Sequence, residues 1–286
     1  MTLSAFSLPN FDTPNFIAAT LAEDMGTGGD ITAAAVIPSE ARFSATMAAR
    51  EDMVAAGLPL AEAFFRALDH HAEITTPVAD GAHVAAGTTL MMINGNARAL
   101  LTAERSALNT VQHLSGIATL TARYVAAIAG TGATLLDTRK TIPGLRVLEK
   151  YATRMGGATN HRMRLDDAAM IKDNHVAVAD GVGEAVRRAV AAGIAHIILE
   201  VDTLDQIEPG IAAGATHLLL DNMDAATLRA AVKLVAGRVP TEASGGVSLD
   251  TIRVKAESGV TYISVGRITQ SAPAVDIGLD FEMGAR

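Results

Sequence analysis

The chain has 286 residues, 49% of them hydrophobic and 19% charged, with a net charge of −8 at pH 7 and no cysteine. That composition builds a buried core rather than a disordered chain, and its acidic balance argues against general binding to nucleic acid, which needs a basic footprint. Disulfides and thiolate metal sites are excluded, no apolar run approaches the ~18 residues of a membrane span, and no signal peptide opens the chain, so a cytoplasmic protein without a membrane anchor is expected.

Residues 1–30 begin polar, with Pro9 and Pro14, and Ile17 and Leu21 four apart predict a short helix from Phe16 to about Met25. Gly26-Thr27-Gly28-Gly29 then reads as a flexible turn, since a Walker phosphate loop would end in Gly-Lys-Ser/Thr. Between 42 and 95, Phe43, Ala45 and Met47 alternate with Ser44 and Thr46 as in a strand, 60 to 68 is a helix candidate, and 80–87 sets a short strand between two turns. This last piece is similar to the hairpin of biotinyl or lipoyl carrier domains. A carrier needs a lysine to modify, however, and the first lysine is Lys140, so the piece is read as structural sheet. His70 and His71 read as surface or cap residues. Residues 96–130 are helix-rich, with Leu101, Leu108 and Val111 near one face and Gly116 as a candidate break. Arg105, inside this pattern, reads on periodicity alone as an exposed surface arginine.

From 133 onward the texture changes. Apolar runs rich in branched aliphatics recur at 134–136, 168–171, 196–199, 217–220, 239–243 and 261–265, separated by Ala-rich amphipathic stretches. Near-continuous apolar strands alternating with helices indicate a parallel sheet covered by helices. Each strand ends in chemistry: Arg139-Lys140, Lys172-Asp173, Glu200-Val201-Asp202, Asp221-Asn222, Ser244-Gly245-Gly246 and Gly266-Arg267. Polar groups converging at the C-terminal ends of successive parallel strands mark the active-site face of a β/α barrel. A doubly wound sheet would carry a glycine-rich turn after its first strand, and none is found, so the barrel is favoured. His196 and His217 sit at strand starts, where residues serve stability, and are read as structural rather than as a metal pair. The last stretch, 275–283, alternates strictly, which is the period of a half-exposed strand. It is expected to leave the barrel and join the earlier sheet.

The stretch from Arg139 to Lys172 carries eight Lys or Arg against three Asp or Glu, a local balance of about +5 that leaves about −13 for the rest. A cationic pocket inside an acidic protein suits a small, strongly anionic ligand. Arg139, Arg162 and Lys172 can clamp carboxylates, because a planar guanidinium meets both oxygens at once, and His161 adds a donor beside Arg162. Arg146, Lys150 and Arg154, spaced by four opposite Leu145, Leu148, Ala152 and Met155, read as the solvated face of an ordinary amphipathic helix. Glu200 and Asp221 end consecutive strands. They could hold Mg²⁺ through waters and substrate oxygens, or equally well orient basic neighbours. Ser244-Gly245-Gly246 and Val265-Gly266 follow the last two strands, where barrels often bind phosphate on backbone N–H groups and a helix N-terminus. Asp250 suits the start of the next helix.

Several blocks carry a family resemblance: NARALLTAERSALN (96–109), DTRKTIPGLRVLEKYA (137–152), NHR (160–162), IKDNH (171–175), LEVD (199–202), LLLDN (218–222), ASGG (243–246) and ISVG (263–266). With these residues the chain resembles the quinolinate phosphoribosyltransferases over nearly its full length. The resemblance implies an α/β fold: an N-terminal α/β sandwich domain over 1–114, rejoined by 271–286, plus an incomplete β/α barrel of mostly parallel strands over 115–270. It also implies an enzyme that converts quinolinate and phosphoribosyl pyrophosphate, with Mg²⁺, to nicotinate mononucleotide, pyrophosphate and CO₂. Such enzymes are at least homodimers with shared active sites. Carried over by position, Arg105 would reach the neighbour's site, against its reading from periodicity. Arg139, Arg162 and Lys172, helped by Thr138 and His161, would hold quinolinate. Lys140 would sit by the phosphoribosyl donor, Glu200 and Asp221 would face the ribose and Mg²⁺, and Ser244, Gly245, Gly246, Val265, Gly266 and Arg267 would hold the 5′-phosphate. Ile142, Met155 and Arg267 depart from the family pattern, which has threonine, cysteine and a small residue there. Arg267 could tighten the phosphate site or belong to a local ion pair. Three competing readings are a relative linked to molybdenum transport, in which IKDNH would be altered, a Schiff-base aldolase using Lys172, which would need an apolar lysine pocket, and a non-enzymatic protein that binds quinolinate without turning it over.

Overall fold

The computed structural model describes residues 7–282; the first six residues of the expected N-terminal domain and Met283 of the alternating tail lie outside them. The elements run α1 (Thr13–Met25), α2 (Ile31–Val36), β1 (Arg42–Ala49), β2 (Met53–Val54), α3 (Leu58–Leu68), β3 (Glu73–Thr75), β4 (His83–Val84), β5 (Thr89–Asn96) and α4 (Ala97–Ala127). They continue β6 (Thr134–Leu136), α5 (Arg146–Met155), β7 (Ala169–Ile171), α6 (Asp173–Val178), α7 (Val182–Ala191), β8 (Ile197–Val201), a 3-10 turn at Leu204–Gln206, α8 (Ile207–Ala213) and β9 (His217–Asp221). Last come α9 (Ala225–Val235), β10 (Thr241–Ser244), α10 (Leu249–Ala256), β11 (Tyr262–Ser264), α11 (Arg267–Gln270) and β12 (Ile277–Glu282). Two compact units emerge: residues 7–120, 147–157 and 272–282 form one, and 121–146 with 158–271 form the other.

In the first unit an antiparallel sheet has the order β12-β1-β5-β3. Ala45 and Met47 of β1 are buried while Thr46 between them is less so, as a period of two requires. The alternating tail lies along β1, from Ser44 opposite Glu282 to Ala49 opposite Ile277. Helix α3 buries Leu58, Leu60, Ala61, Phe64 and Phe65 on one face, and Phe64 meets Phe16 of α1 with ring centroids 6.0 Å apart. Asp80 anchors the start of α3, accepting from the backbone N–H of Gly57 (2.7 Å) and Leu58 (3.1 Å) and from the Tyr151 hydroxyl (2.6 Å).

Two sequence expectations are corrected here. Gly116 does not break the long helix; α4 runs through it. Its lack of a side chain serves a close approach, because a Cβ there would collide with the carbonyl of Pro273. The supposed solvated face of α5 is not one either. Lys150 is fully buried, as is Glu149, which sits 3.0 Å from His113. Arg146 is drawn in by the Thr141 hydroxyl and the Met163 carbonyl, leaving Arg154 exposed.

The second unit is a wholly parallel sheet of order β6-β11-β10-β9-β8-β7. In chain order the strands wrap from β7 round to β11 and back to β6. Closure between β6 and β7 is missing: only a single bridge, Leu136 to Thr159, stands where another strand would lie. The barrel is therefore incomplete. On β8 and β9, Ile197, Leu199, Val201, Leu218 and Leu220 have no exposed surface and form the outer layer under the helices. Each such side chain contributes roughly 1.5–3 kcal/mol by burial. The alternate positions face inward, and that alternation lifts Lys172, Glu200, Asp221 and Ser244 to the rim of one cavity.

Candidate active site

The cavity has a volume of about 810 Å³ and opens at the C-terminal ends of the parallel strands, the size and place expected of a small-molecule site. Thr138, Arg139, Lys140, His161, Arg162, Lys172, Glu200, Asp221, Ser244, Gly245, Gly246, Val265, Gly266 and Arg267 all line it. Arg105 does not: it lies exposed on α4 in the first unit.

One end of the cavity is made of side chains. After β6, buried Asp137 accepts from the Asn160 side-chain amide (2.5 Å) and the His161 backbone N–H (2.8 Å). The next turn is closed by the Lys140 N–H donating to Thr138 Oγ1 at 3.1 Å. Arg162 is held by its own N–H, which donates to His161 Nδ1 (2.7 Å), and by Nη1, which donates to the Ala168 carbonyl (2.9 Å). The Nε atoms of both Arg139 and Arg162 are buried and have no hydrogen-bond partner. A buried donor left unmade costs roughly 1–3 kcal/mol, more when charged. Burial, and then the neighbouring Arg139 guanidinium, push Arg162 below the usual arginine range. Two crowded cations with unmet donors fit a ligand carrying carboxylates.

Lys172 caps β7. His175 of α6 turns its Nδ1 back to accept the Lys172 backbone N–H at 3.0 Å, so the IKDNH block is a strand end locked to a helix start. The Lys172 ammonium pairs with Glu200 and is about half exposed. That is not the apolar burial a Schiff-base lysine needs. Asp221, the next strand tip, is raised by burial. The pull of Lys172 and Lys140 lowers it, against the push of Asp202 and Asp173.

The other end is backbone. Gly245 takes φ +81° and Gly246 φ +58°, conformations that favour glycine. A Cβ on Gly245 would also strike the side chain of Asn222, whose N–H donates to the Ser244 carbonyl at 3.1 Å. Ser248 then caps α10, with Asp250 in its first turn. The stem of Lys140 lies against Gly266, and the Lys140 carbonyl accepts from Thr269 Oγ1 at 2.8 Å. Arg267 forms no ion pair among the described residues.

Among the lining residues given no role of their own in the sequence analysis are Asn222 and Glu242. Asn222 adopts φ +53°, and its side-chain amide donates to Asp221 at 2.5 Å. Glu242 of β10 is fully buried on the cavity floor. Its oxygen Oε2 lies 3.3 Å from His161 Nε2 and 3.0 Å from His217 Nε2. Burial alone would raise its pKa, but His161, His217 and Ser264 outweigh that and hold it at about 2. A lone glutamate inside the apolar run 239–243, two residues before Ser244 and so on the same strand face, was the available signal.

A β/α barrel with guanidinium groups at one end of its cavity and glycine turns at the other defines an enzyme for small, multiply anionic, phosphorylated substrates. The comparisons sharpen that class. Residues 30–115 match the N-terminal domain of quinolinate phosphoribosyl transferase, and residues 117–280 match its C-terminal domain. The chain is 43% identical over 274 residues to a nicotinate-nucleotide pyrophosphorylase (carboxylating) of Mycobacterium leprae, covering 92% of this chain and 95% of that one. It is 40% identical over 294 residues to a chloroplastic one of Oryza sativa, covering 96% and 79%. Among solved structures, the nicotinate-nucleotide pyrophosphorylase from Francisella tularensis superposes with a TM-score of 0.90 at 38% identity, covering 94% of this chain and 96% of that one. NadC from Streptococcus pyogenes gives 0.91 at 36%, covering 98% and 100%. The chain belongs to the quinolinate phosphoribosyltransferase family.

Proposed function

We propose that the protein transfers the phosphoribosyl group of phosphoribosyl pyrophosphate to quinolinate with decarboxylation, giving nicotinate mononucleotide, pyrophosphate and CO₂. The observation that carries this reading is the pair of buried, unpartnered guanidinium Nε atoms of Arg139 and Arg162 in the same cavity as two glycine turns. Arg139, Arg162 and Lys172, with Thr138 and His161 beside them, hold the two carboxylates of quinolinate. The glycine turns, Ser244, Val265 and Arg267 receive the 5′-phosphate, and Lys140, packed over Gly266, lies by the donor. The site's task is positioning and charge. As the C1–O bond to pyrophosphate breaks, C1 gains positive character, which the carboxylates of Glu200 and Asp221 face. The ring nitrogen supplies the electron pair for the new C–N bond. The positive ring then takes up the electrons left at C2 when CO₂ departs, and C2 gains a proton.

The residues present fit a magnesium ion held mostly by water and donor oxygens. No group of three or more acidic or histidine ligands gathers among the described residues, and one Glu200 oxygen is committed to Lys172. Asp221, crowded by Asp202 and Asp173, is the stronger protein contact. When bound, the ion would offset the charge of the departing pyrophosphate.

A homodimer or larger assembly, with Arg105 entering a neighbour's site, is part of the proposal, as is a cytoplasmic setting. In support of the assembly, a second cavity of about 730 Å³ runs along the unpaired side of β7, lined by Leu165 and Val178. These are 71% and 84% exposed. Arg139, Arg162 and Lys172 line both cavities.

The test is a turnover assay with quinolinate, phosphoribosyl pyrophosphate and Mg²⁺, following nicotinate mononucleotide, with nicotinate as the parallel substrate. Product from quinolinate alone is expected. Product only from nicotinate would mean the clamp is misread.

A further inference from the structure

The segment that carries Arg162 lies where the barrel lacks a strand. Among the described residues its only ladder contact is the bridge between Leu136 and Thr159, so side-chain hydrogen bonds set the position of residues 160–162. The Asn160 side chain and the His161 N–H are pinned by Asp137. The Arg162 N–H is pinned by the ring of His161. That last contact also fixes the ring's chemistry. A backbone N–H can only donate, so His161 Nδ1 must be the acceptor and the ring proton must sit on Nε2. Nε2 lies 3.3 Å from Glu242 Oε2, and the same oxygen lies 3.0 Å from His217 Nε2. These are ion-pair distances without the alignment of a hydrogen bond: His217 Nε2 and both Glu242 oxygens are buried and have no hydrogen-bond partner. The His217 ring stacks on Tyr262 with centroids 5.5 Å apart.

We propose that Glu242 and His217 are positioning residues for quinolinate: Glu242 holds His161 in one tautomer and orientation, His161 holds the Arg162 backbone, and His217 fixes the Glu242 carboxylate. This rests on the reading of Arg162 as part of the carboxylate clamp. The relay runs from β9 through β10 to the strandless segment, so a half-buried and a buried strand residue set the aim of a guanidinium that no strand supports.

The experiment compares His217→Phe, which keeps a ring on Tyr262 but loses the N–H, with His217→Gln, which keeps an N–H but loses the ring. Steady-state kinetics are measured for each substrate separately. The proposal expects His217→Phe to raise the KM for quinolinate about tenfold, with kcat and the KM for phosphoribosyl pyrophosphate within about twofold, and His217→Gln to recover most of that loss. A packing role alone gives the reverse order and overturns it. A second measurement, independent of turnover and of either variant folding, is the ¹⁵N spectrum of the wild-type imidazoles, with His161 assigned by its loss in His161→Gln. A proton on Nε2 and none on Nδ1 is expected; a proton on Nδ1 overturns the relay. In Glu242→Gln the ring should show mixed tautomers and the quinolinate KM should rise, and an unchanged ring and KM would again overturn it. If the wild-type enzyme does not use quinolinate, the functional reading falls, while the tautomer result still reports on the relay by itself.

Discussion

The two ends of the cavity are built from different materials. At the proposed carboxylate end the donors are long side chains, and Arg162 stands on a segment with one bridge in place of a strand, held by the His161 ring and the Ala168 carbonyl. At the proposed phosphate end the donors are backbone amides, and in the turn at Gly245 and Gly246 the φ angles are ones that glycine adopts most easily. The first arrangement reads a particular shape and is fragile at many points. The second reads a charge common to many metabolites and is fragile only where a glycine is lost. On the proposed assignment, specificity for a pyridine dicarboxylate would sit with Arg139, Arg162 and the residues behind them, not with the glycine turns.

The sharpest way to break this contrast lies outside the cavity lining. Arg105→Ala is expected to abolish turnover, and mixing it with a Lys172→Ala chain should restore activity through one intact hybrid site. Confirmed subunit exchange without regained activity would remove Arg105 from the proposal. Next, Arg139→Ala should lose roughly 1.5–3 kcal/mol of quinolinate binding as a charge-assisted contact disappears, with the KM for phosphoribosyl pyrophosphate nearly unchanged. Equal damage to both substrates would erase the division between the ends. Gly245→Ala should do the opposite, raising the KM for the phosphoribosyl donor about tenfold through strain at φ +81° and sparing quinolinate binding measured alone by calorimetry.

A smaller effect concerns acid stability. Glu242 is depressed to about 2 in the folded protein, so its contribution is present above the unfolded glutamate value near ~4.3 and is lost as pH falls toward 2. Between those limits wild-type Tm should fall more steeply than that of Glu242→Gln; parallel curves would show that the carboxylate contributes nothing. Smallest of all, Arg267→Ala should raise the donor KM about threefold at low salt and lose that difference near ~0.5 M salt, because the guanidinium is exposed and screened.

The barrel was legible because its strands are buried on both faces. Runs such as 196–199 and 217–220 stand out from the Ala-rich helices between them, and strand tips point into a barrel's mouth, so Lys172, Glu200 and Asp221 followed from position. The tail at 275–283 was legible from its period of two, which suits the place of β12 beside β1. Charged residues away from the tips were not. Lys150 has the spacing of a surface stripe and is buried, since periodicity gives a face but not what covers it. Glu242 sat unnoticed in an apolar run. His217 was correctly placed at a strand start, but its meeting with Glu242 is a cross-strand contact that no linear spacing records. Gly116 looked like a helix break because the segment that demands it, around Pro273, is far away along the chain.

The position of β12 also sets an order of events during synthesis. The first unit's sheet starts with β1, yet the strand that covers one edge of β1 follows all six barrel strands in the chain. All six barrel strands emerge while β1 still has one edge uncovered. An uncovered edge is a template for pairing with another chain. A sheet begun before the barrel is thus closed after it, and a nascent chain arrested before residue 277 carries a finished set of barrel strands together with a sheet still open to a stranger's strand.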